Sequence, residues 1–313
     1  MAWLIYRVMG GARRARARAT LLAFAAMACG TASYTVARFS AARASQRPEE
    51  VVGALRKEGI VRIDGVLSTP AAAQLLEEVN CNLEASLERA KAKVHDANIP
   101  QDAFSDLLRL TDEVLAENFG DVLCGKNRRD LKLDLSNPQV ECACSEVLSV
   151  LQPTLASCLG EDSELYELAA LISDPQSASQ PLHPDTSFEA EAAVLTAFVA
   201  LQDIDATMGP TLFLRGTHTA EAHAAFDADG RKRTATALGS YPSWRGVINA
   251  GDVTLYDSRL LHCGGANESP RRRALFYVSF RAKGAAPSFR KTQGTLLESL
   301  RGRYTLRDLG NSC

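Results

Sequence analysis

His183 and Asp185 flank a proline, and that triplet restricts what the surrounding chain can become more than any other stretch. In extended backbone alternate side chains share a face, so the imidazole and the carboxylate project together while Pro184 points away. Proline has no amide proton and cannot sit in the middle of a fully paired sheet, which places the triplet at a strand end or in the loop beyond it. Its ring also pushes His183 toward extended backbone angles. A His-x-Asp triplet is common by itself, so its meaning depends on what else the chain brings to that strand end.

A third donor follows downstream. Gly251–Asp257 reads as a strand that runs through residues 258–261 to His262 and a polar turn, Cys263–Asn267. Two imidazoles and one carboxylate can bind a divalent metal on one face and leave the opposite face free, an arrangement that suits non-haem ferrous iron. After the turn stand Arg271, Arg272 and Arg273, then Ala274–Phe280, whose aromatic and aliphatic content predicts a strand. An arginine at the start of that strand can hold a carboxylate by two parallel charge-assisted hydrogen bonds. Alternation puts Arg272 on the face of Ala274, Phe276, Val278 and Phe280, and Arg273 on the face of Leu275, Tyr277 and Ser279. The more uniformly apolar face is the expected barrel interior, so Arg272 is the expected clamp and Arg273 the alternative. Iron, this donor set and an arginine clamp together point to a keto-acid cosubstrate.

From about Val52 to Phe280 the chain resembles the phytanoyl-CoA dioxygenase family of iron(II)- and 2-oxoglutarate-dependent oxygenases. Besides His183 and Asp185, the likeness includes Gln180, the strand Val194–Leu201, the segment Leu55–Leu67, and Met208–His218, which ends in Arg215-Gly216-Thr217-His218 where the family has a Pro-Gly-Ser-His type turn. The resemblance implies a double-stranded β-helix, a jelly-roll or cupin-like barrel. It implies Fe(II) on His183, Asp185 and His262, with 2-oxoglutarate and O2 as cosubstrates and Gln180 beside them. It also implies hydroxylation of a C–H bond in a small-molecule or lipid-like substrate, with release of succinate and carbon dioxide. His218 is a candidate for substrate contact or for support of the metal ligands. The other readings of the same residues are a jelly-roll binding protein without turnover and, third, a zinc hydrolase on the same three ligands.

The rest of the chain predicts a mixed α/β fold with a mainly β core, buttressed by N-terminal helices. Ser68-Thr69-Pro70 is a helix start, followed by Leu75, Leu76, Val79, Leu83 and Leu87 at helical spacing. Asn137-Pro138 starts another helix, expected to end before Pro153. Leu165–Ser173 is a candidate strand. Residues 1–48 hold eight arginines and no acidic residue, so the remainder carries −10 against −2 for the whole chain, which argues against nucleic-acid binding. This Arg-rich, acid-free leader reads as an organelle (plastid or mitochondrial) transit peptide. Its uncharged run 19–37 also allows a secretory signal or a membrane anchor, and a plain basic tail on a cytosolic enzyme is the remaining reading. The expected organisation is therefore a leader over 1–48, a dioxygenase domain over 49–290 and a C-terminal tail over 291–313. The eight cysteines contain no pair with zinc-site or redox spacing, so reduced thiols are expected. His95 and His223 fall in polar segments expected to be exposed. The residues that choose a substrate are expected in the loops Ser187–Ala193 and Ala220–Trp244, the latter carrying Arg231, Lys232 and Arg233.

Overall fold

A computed structural model describes residues 35–96, 117–122, 125–228, 239, 241–285 and 294–310. Among the described residues ten strands fall into two sheets. The larger has the order β1 (Arg38–Ser40), β2 (Ile60–Asp64), β8 (Val253–Asp257), β5 (Val194–Ala200), β10 (Arg273–Arg281), β4 (Glu164–Ser173) and β3 (Arg128–Lys132). All of its pairings are antiparallel except β1 with β2. The smaller has the order β7 (Ser243–Arg245), β6 (Thr211–Leu214) and β9 (His262–Gly264), with His183 bridged antiparallel to His262 beyond β9.

The large sheet is buried on both faces, and its sequence reflects two different neighbours. Leu195, Ala197, Val199, Ala274, Phe276, Val278 and Phe280 join the core formed with the helices. That layer consists of α1 (Ala41–Gln46), α2 (Pro48–Glu58), α3 (Thr69–Asp96) and α4 (Pro138–Leu159). Phe198, Ala200, Leu275, Tyr277 and Tyr256 point the other way and pack with Phe213, Ile204 and Ile248 of the smaller sheet's layer. The face of β10 that is apolar without interruption therefore meets helices, and the face interrupted by Arg273, Tyr277 and Ser279 meets the second sheet. This reverses the expectation that the more apolar face lines the interior. A helix layer presents only side-chain hydrocarbon to a sheet, whereas the space between the sheets has to hold polar groups.

Both predicted helix starts are present. The Ser68 hydroxyl accepts from Ala71 N–H, and the Asn137 side chain accepts from the N–H groups of Gln139 and Val140. The second helix runs on through Pro153 to Leu159, beyond its expected end. Leu151, Leu155 and Leu159 are buried on the sheet, and burial of a leucine is worth about 1.5–3 kcal/mol each, enough to offset the roughly 3 kcal/mol cost of an interior proline. This helix is apolar enough to cross a membrane by length and composition, but its apolar face is spent on the core.

The expected boundaries at both ends need correction. Arg38, Arg43 and Arg47, counted with the leader, pair with Asp64 and Glu50, and Ala44 is buried against the helix layer, so residues 38–48 belong to the folded domain. Residues 1–34, which carry the rest of the leader and most of the run 19–37, lie outside the described residues, as do Arg231, Lys232 and Arg233. At the other end Thr295, Leu296, Leu300 and Leu306 are buried, so residues 294–310 pack with the domain rather than forming a tail.

Gly251, just before β8, has φ +84°, and a Cβ there would lie 2.0 Å from the Leu67 carbonyl oxygen. The Val66 and Leu67 N–H groups both donate to its own carbonyl. Gly251→Ala is expected to destabilise the protein by more than about 1 kcal/mol, seen as a lower urea midpoint at unchanged slope.

Candidate metal centre

His183 and His262 form a hydrogen-bonded antiparallel pair, each backbone N–H donating to the other's carbonyl at 2.9 Å. Residues directly opposite each other project to the same side, which sets the two imidazoles next to one another with ring centroids 4.6 Å apart. Pro184 ends this short pairing. The chain then turns so that the N–H groups of Asp185 and Thr186 both donate to Ser258 O. Asp185 Oδ1 is thereby 3.8 Å from His183 Nε2 and 3.6 Å from His262 Nε2.

Both rings are held in one orientation from behind. His183 Nδ1 lies 2.8 Å from Pro181 O and His262 Nδ1 lies 2.9 Å from Leu260 O. A carbonyl only accepts, so each Nδ1 carries the proton and each Nε2 offers a lone pair. Backbone oxygens behind Nδ1 are the usual means of fixing a metal-binding tautomer. The second Asp185 oxygen, Oδ2, accepts from the Tyr256 hydroxyl at 3.0 Å. Burial, and then the Asp185 charge, push the Tyr256 phenol well above its ordinary pKa, so it stays a donor. The Tyr256 ring packs on His262 with centroids 5.2 Å apart, and Phe213 stacks on the same imidazole at 5.6 Å.

The ligand atoms of these three residues all lie within 4.8 Å of one another, and they are the one such group among the described residues. The two histidines are buried, whereas the Asp185 side chain is 37% exposed, so the cluster is open on the carboxylate side. Two neutral nitrogens and one carboxylate oxygen fit a divalent first-row metal ion and leave further coordination positions to other ligands.

The arginines separate clearly. Arg272 leaves the domain interior, with Nε on Asp174 Oδ1 at 2.5 Å and Nη1 on Asn80 Oδ1 at 2.9 Å. Arg273 is fully buried in the space between the sheets. It donates to Gly209 O and, at 3.1 Å, to Ser173 Oγ, while its Nε has no hydrogen-bond partner. Burial, with the adjacent Arg128 guanidinium adding to it, lowers the Arg273 pKa to about 9. The Thr211 hydroxyl is also buried without a partner, and it lines the same narrow cavity as Arg273, Phe198, Phe213, Ile248 and Leu275. A buried guanidinium with an unused N–H, beside an unused hydroxyl, could hold an anion.

The remaining expected residues have structural placements. Gln180 is buried, and its Oε1 accepts from Gly264 N–H at 2.8 Å, which ties the metal segment to β9. The ring of His218 is tied to the N-terminal segment: Nε2 is 3.0 Å from Arg56 O, and the ring lies close to Gly59. His223, expected to be exposed, is buried with Nε2 2.7 Å from Arg259 O. His95 lies in α3, where its side chain falls outside the described residues. Arg215, which stands where the resembled family has proline, bonds to Thr35 O and lies 3.4 Å from Glu58, fastening the smaller sheet to the N-terminal segment. Cys263 is a thiol pushed up to about 11 by burial, so its place next to His262 does not make it a reactive thiolate.

Sequence reasoning gave no role to Tyr256, Thr211 or Arg128. Tyr256 shares its face of β8 with Thr254, a position readable once the strand's inner face is known. Arg128 lies on β3, across α4 from the metal segment in the chain, and only the pairing of β3 with β4 brings it opposite Ser173.

Residues 55–275 match the family described as phytanoyl-CoA dioxygenase (PhyH). Among solved structures, the non-heme alpha ketoglutarate dependent epimerase SnoN from nogalamycin biosynthesis is similar with a TM-score of 0.55 at 19% identity, over 83% of this chain and 92% of that one. SnoN in complex with Fe3+, alpha ketoglutarate and nogalamycin RO gives a TM-score of 0.54 at the same identity and coverage. At that identity the likeness speaks to the fold. No curated protein matches the chain.

Proposed function

The chain belongs to the phytanoyl-CoA dioxygenase family, and from that premise we propose that it is an iron(II)- and 2-oxoglutarate-dependent dioxygenase that hydroxylates a C–H bond of a small-molecule or lipid-like substrate. The observation that carries this reading is the pairing of an open His183, Asp185 and His262 donor group with a buried, uncompensated Arg273 in the same inter-sheet space. A hydrolase on these ligands has no use for such an arginine. We read the two sheets as the halves of a double-stranded β-helix.

His183 Nε2, His262 Nε2 and Asp185 Oδ1 would hold the iron. Bound iron and 2-oxoglutarate supply the oxidative chemistry, in which the keto acid and dioxygen become succinate and carbon dioxide and a substrate C–H becomes C–OH. The protein's part is to bind, orient and exclude water. Arg273 Nε and the Thr211 hydroxyl take the far carboxylate of the cosubstrate, and the nearby Arg128 charge raises the positive potential there. Phe198, Phe213 and Leu275 form dry walls along the cavity. In that low-dielectric space the guanidinium–carboxylate pair is stronger than in water. Tyr256 fixes the carboxylate of Asp185 so that Oδ1 faces the two histidines. We place the approach of substrate on the exposed side of Asp185, past Ser187–Ala193.

Turnover can be tested before any substrate is known. Incubated aerobically with Fe(II) and 2-oxoglutarate, the protein is expected to release succinate slowly, with the release abolished by a chelator. Chelator-insensitive or absent release from folded, iron-loaded protein across a broad substrate panel would favour the binding-protein reading.

A further inference from the structure

A line of polar side chains runs across the large sheet from Asp185, and the proposed chemistry gives most of it no task. Register places Tyr256 opposite Thr196, Thr196 opposite Ser279, and Ser279 opposite Glu167. Four adjacent strands thus each contribute one polar residue to a single row facing the smaller sheet. Tyr256, Thr196 and Ser279 are buried, and Glu167 is half-buried at a register shift between β4 and β10. Tyr256 donates to Asp185 Oδ2 at 3.0 Å, and Ser279 donates to Glu167 Oε2 at 2.6 Å. The Thr196 and Ser279 hydroxyls are 3.0 Å apart, and Thr196 stands directly opposite Tyr256 in the strand register. Beyond Glu167, the N–H of Thr295 reaches Oε1 at 3.4 Å.

The row has four neighbouring pairs and three protons, and three of the pairs are hydrogen-bonded. Its ends are carboxylates, which only accept, and each hydroxyl between them has one proton to give. The proton of Tyr256 is directed to Asp185 and that of Ser279 to Glu167. Thr196 is left to donate either to Ser279 or to Tyr256. Donation to Tyr256 strengthens the phenol as a donor to Asp185, because hydrogen bonds in a chain polarise one another. Donation to Ser279 strengthens the Glu167 end instead. The two carboxylates therefore compete for the same proton across the sheet.

Resting on the metal-site reading above, we infer that Glu167 is a positioning residue for the ligand Asp185, acting through Ser279, Thr196 and Tyr256 to set how firmly Asp185 is held in its ligating orientation. Glutamine at 167 can donate to Ser279, which then donates to Thr196, Thr196 to Tyr256 and Tyr256 to Asp185. All four links form and all point toward the metal ligand. The sign of the effect separates this role from a merely structural one, because loss of a structural carboxylate would weaken the site.

The test is Co(II) binding to the full-length protein, followed by its visible absorption, with unfolding of the metal-free variants as a control. Tyr256→Phe keeps the ring that packs on His262 and is expected to weaken Co(II) binding about 10- to 100-fold. Glu167→Gln is expected to tighten it about two- to tenfold, the effect of one added hydrogen bond. In the Tyr256→Phe background Glu167→Gln is expected to change nothing, since the row is cut. Ser279→Ala, which also cuts the row, should likewise make the protein indifferent to Glu167→Gln. Weaker or unchanged binding in Glu167→Gln, or an equal effect with and without the Tyr256 hydroxyl, overturns the inference. Failure of the unaltered protein to bind Co(II) would instead overturn the metal-site reading itself.

Discussion

Arg273→Met is expected to weaken 2-oxoglutarate binding by about 30-fold to several thousandfold, while Arg272→Met changes it less than about twofold. Removing one member of a buried, hydrogen-bonded charge pair costs about 2–5 kcal/mol, much of it the penalty of leaving the other charge unpaired. Arg273 is positioned to form such a pair: it is fully buried and its Nε is unused. Arg272 is already occupied by Asp174 and Asn80 outside the cavity. The same substitution should have a second, opposite signature. Without cosubstrate, Arg273 is a buried cation beside another buried cation, and burial together with Arg128 lowers its pKa to about 9. Methionine keeps the volume and removes the charge, so the cosubstrate-free Arg273→Met protein should unfold at a temperature equal to or above that of the parent. Isothermal titration of the iron-loaded protein measures the first effect and calorimetry of the free protein the second. Unchanged affinity together with lower stability would mark Arg273 as a structural residue.

His183→Ala is expected to reduce Fe(II) affinity more than about a hundredfold without unfolding the domain. Altering a residue that only orients a metal ligand costs about 10- to 100-fold, and removing one of three direct donors should exceed that. The pairing that brings the segments together runs through backbone, with His183 and His262 exchanging N–H and carbonyl, so alanine leaves the strand in place. Metal content after anaerobic loading, beside an unchanged circular dichroism spectrum, is the readout. If His183→Ala retained iron at parental affinity, the donor group would be wrongly assigned.

Much of this site was readable from residue types in order. The proline between His183 and Asp185 forced a strand end, and the strand ending at His262 supplied the third donor. Helix starts at Ser68 and Asn137 followed from capping chemistry. The choice between Arg272 and Arg273 was not legible, because alternation along β10 gives two faces but not their neighbours. Here the uninterrupted apolar face was taken by α4, and the mixed face carried Arg273, Tyr277 and Ser279 into the interior. Pro153 does not end its helix for a related reason, since tertiary burial of Leu151, Leu155 and Leu159 outweighs the local cost. The boundary at residue 48 failed because basic residues were counted as leader charge, whereas Arg38, Arg43 and Arg47 have acidic partners that only the fold brings near. Tyr256, Thr196, Ser279 and Glu167 sit on four different strands, and their row exists only through register.

We propose that the inter-sheet space binds ferrous iron and a keto acid together. The most direct measurement is an anaerobic titration of Fe(II) and then 2-oxoglutarate into the protein, watched in the visible for the charge-transfer band of a keto acid chelated to ferrous iron. The band is predicted to appear, to vanish in His183→Ala and to require far more 2-oxoglutarate in Arg273→Met. Its absence from folded, iron-loaded protein at saturating 2-oxoglutarate would mean that the keto acid does not chelate the iron here.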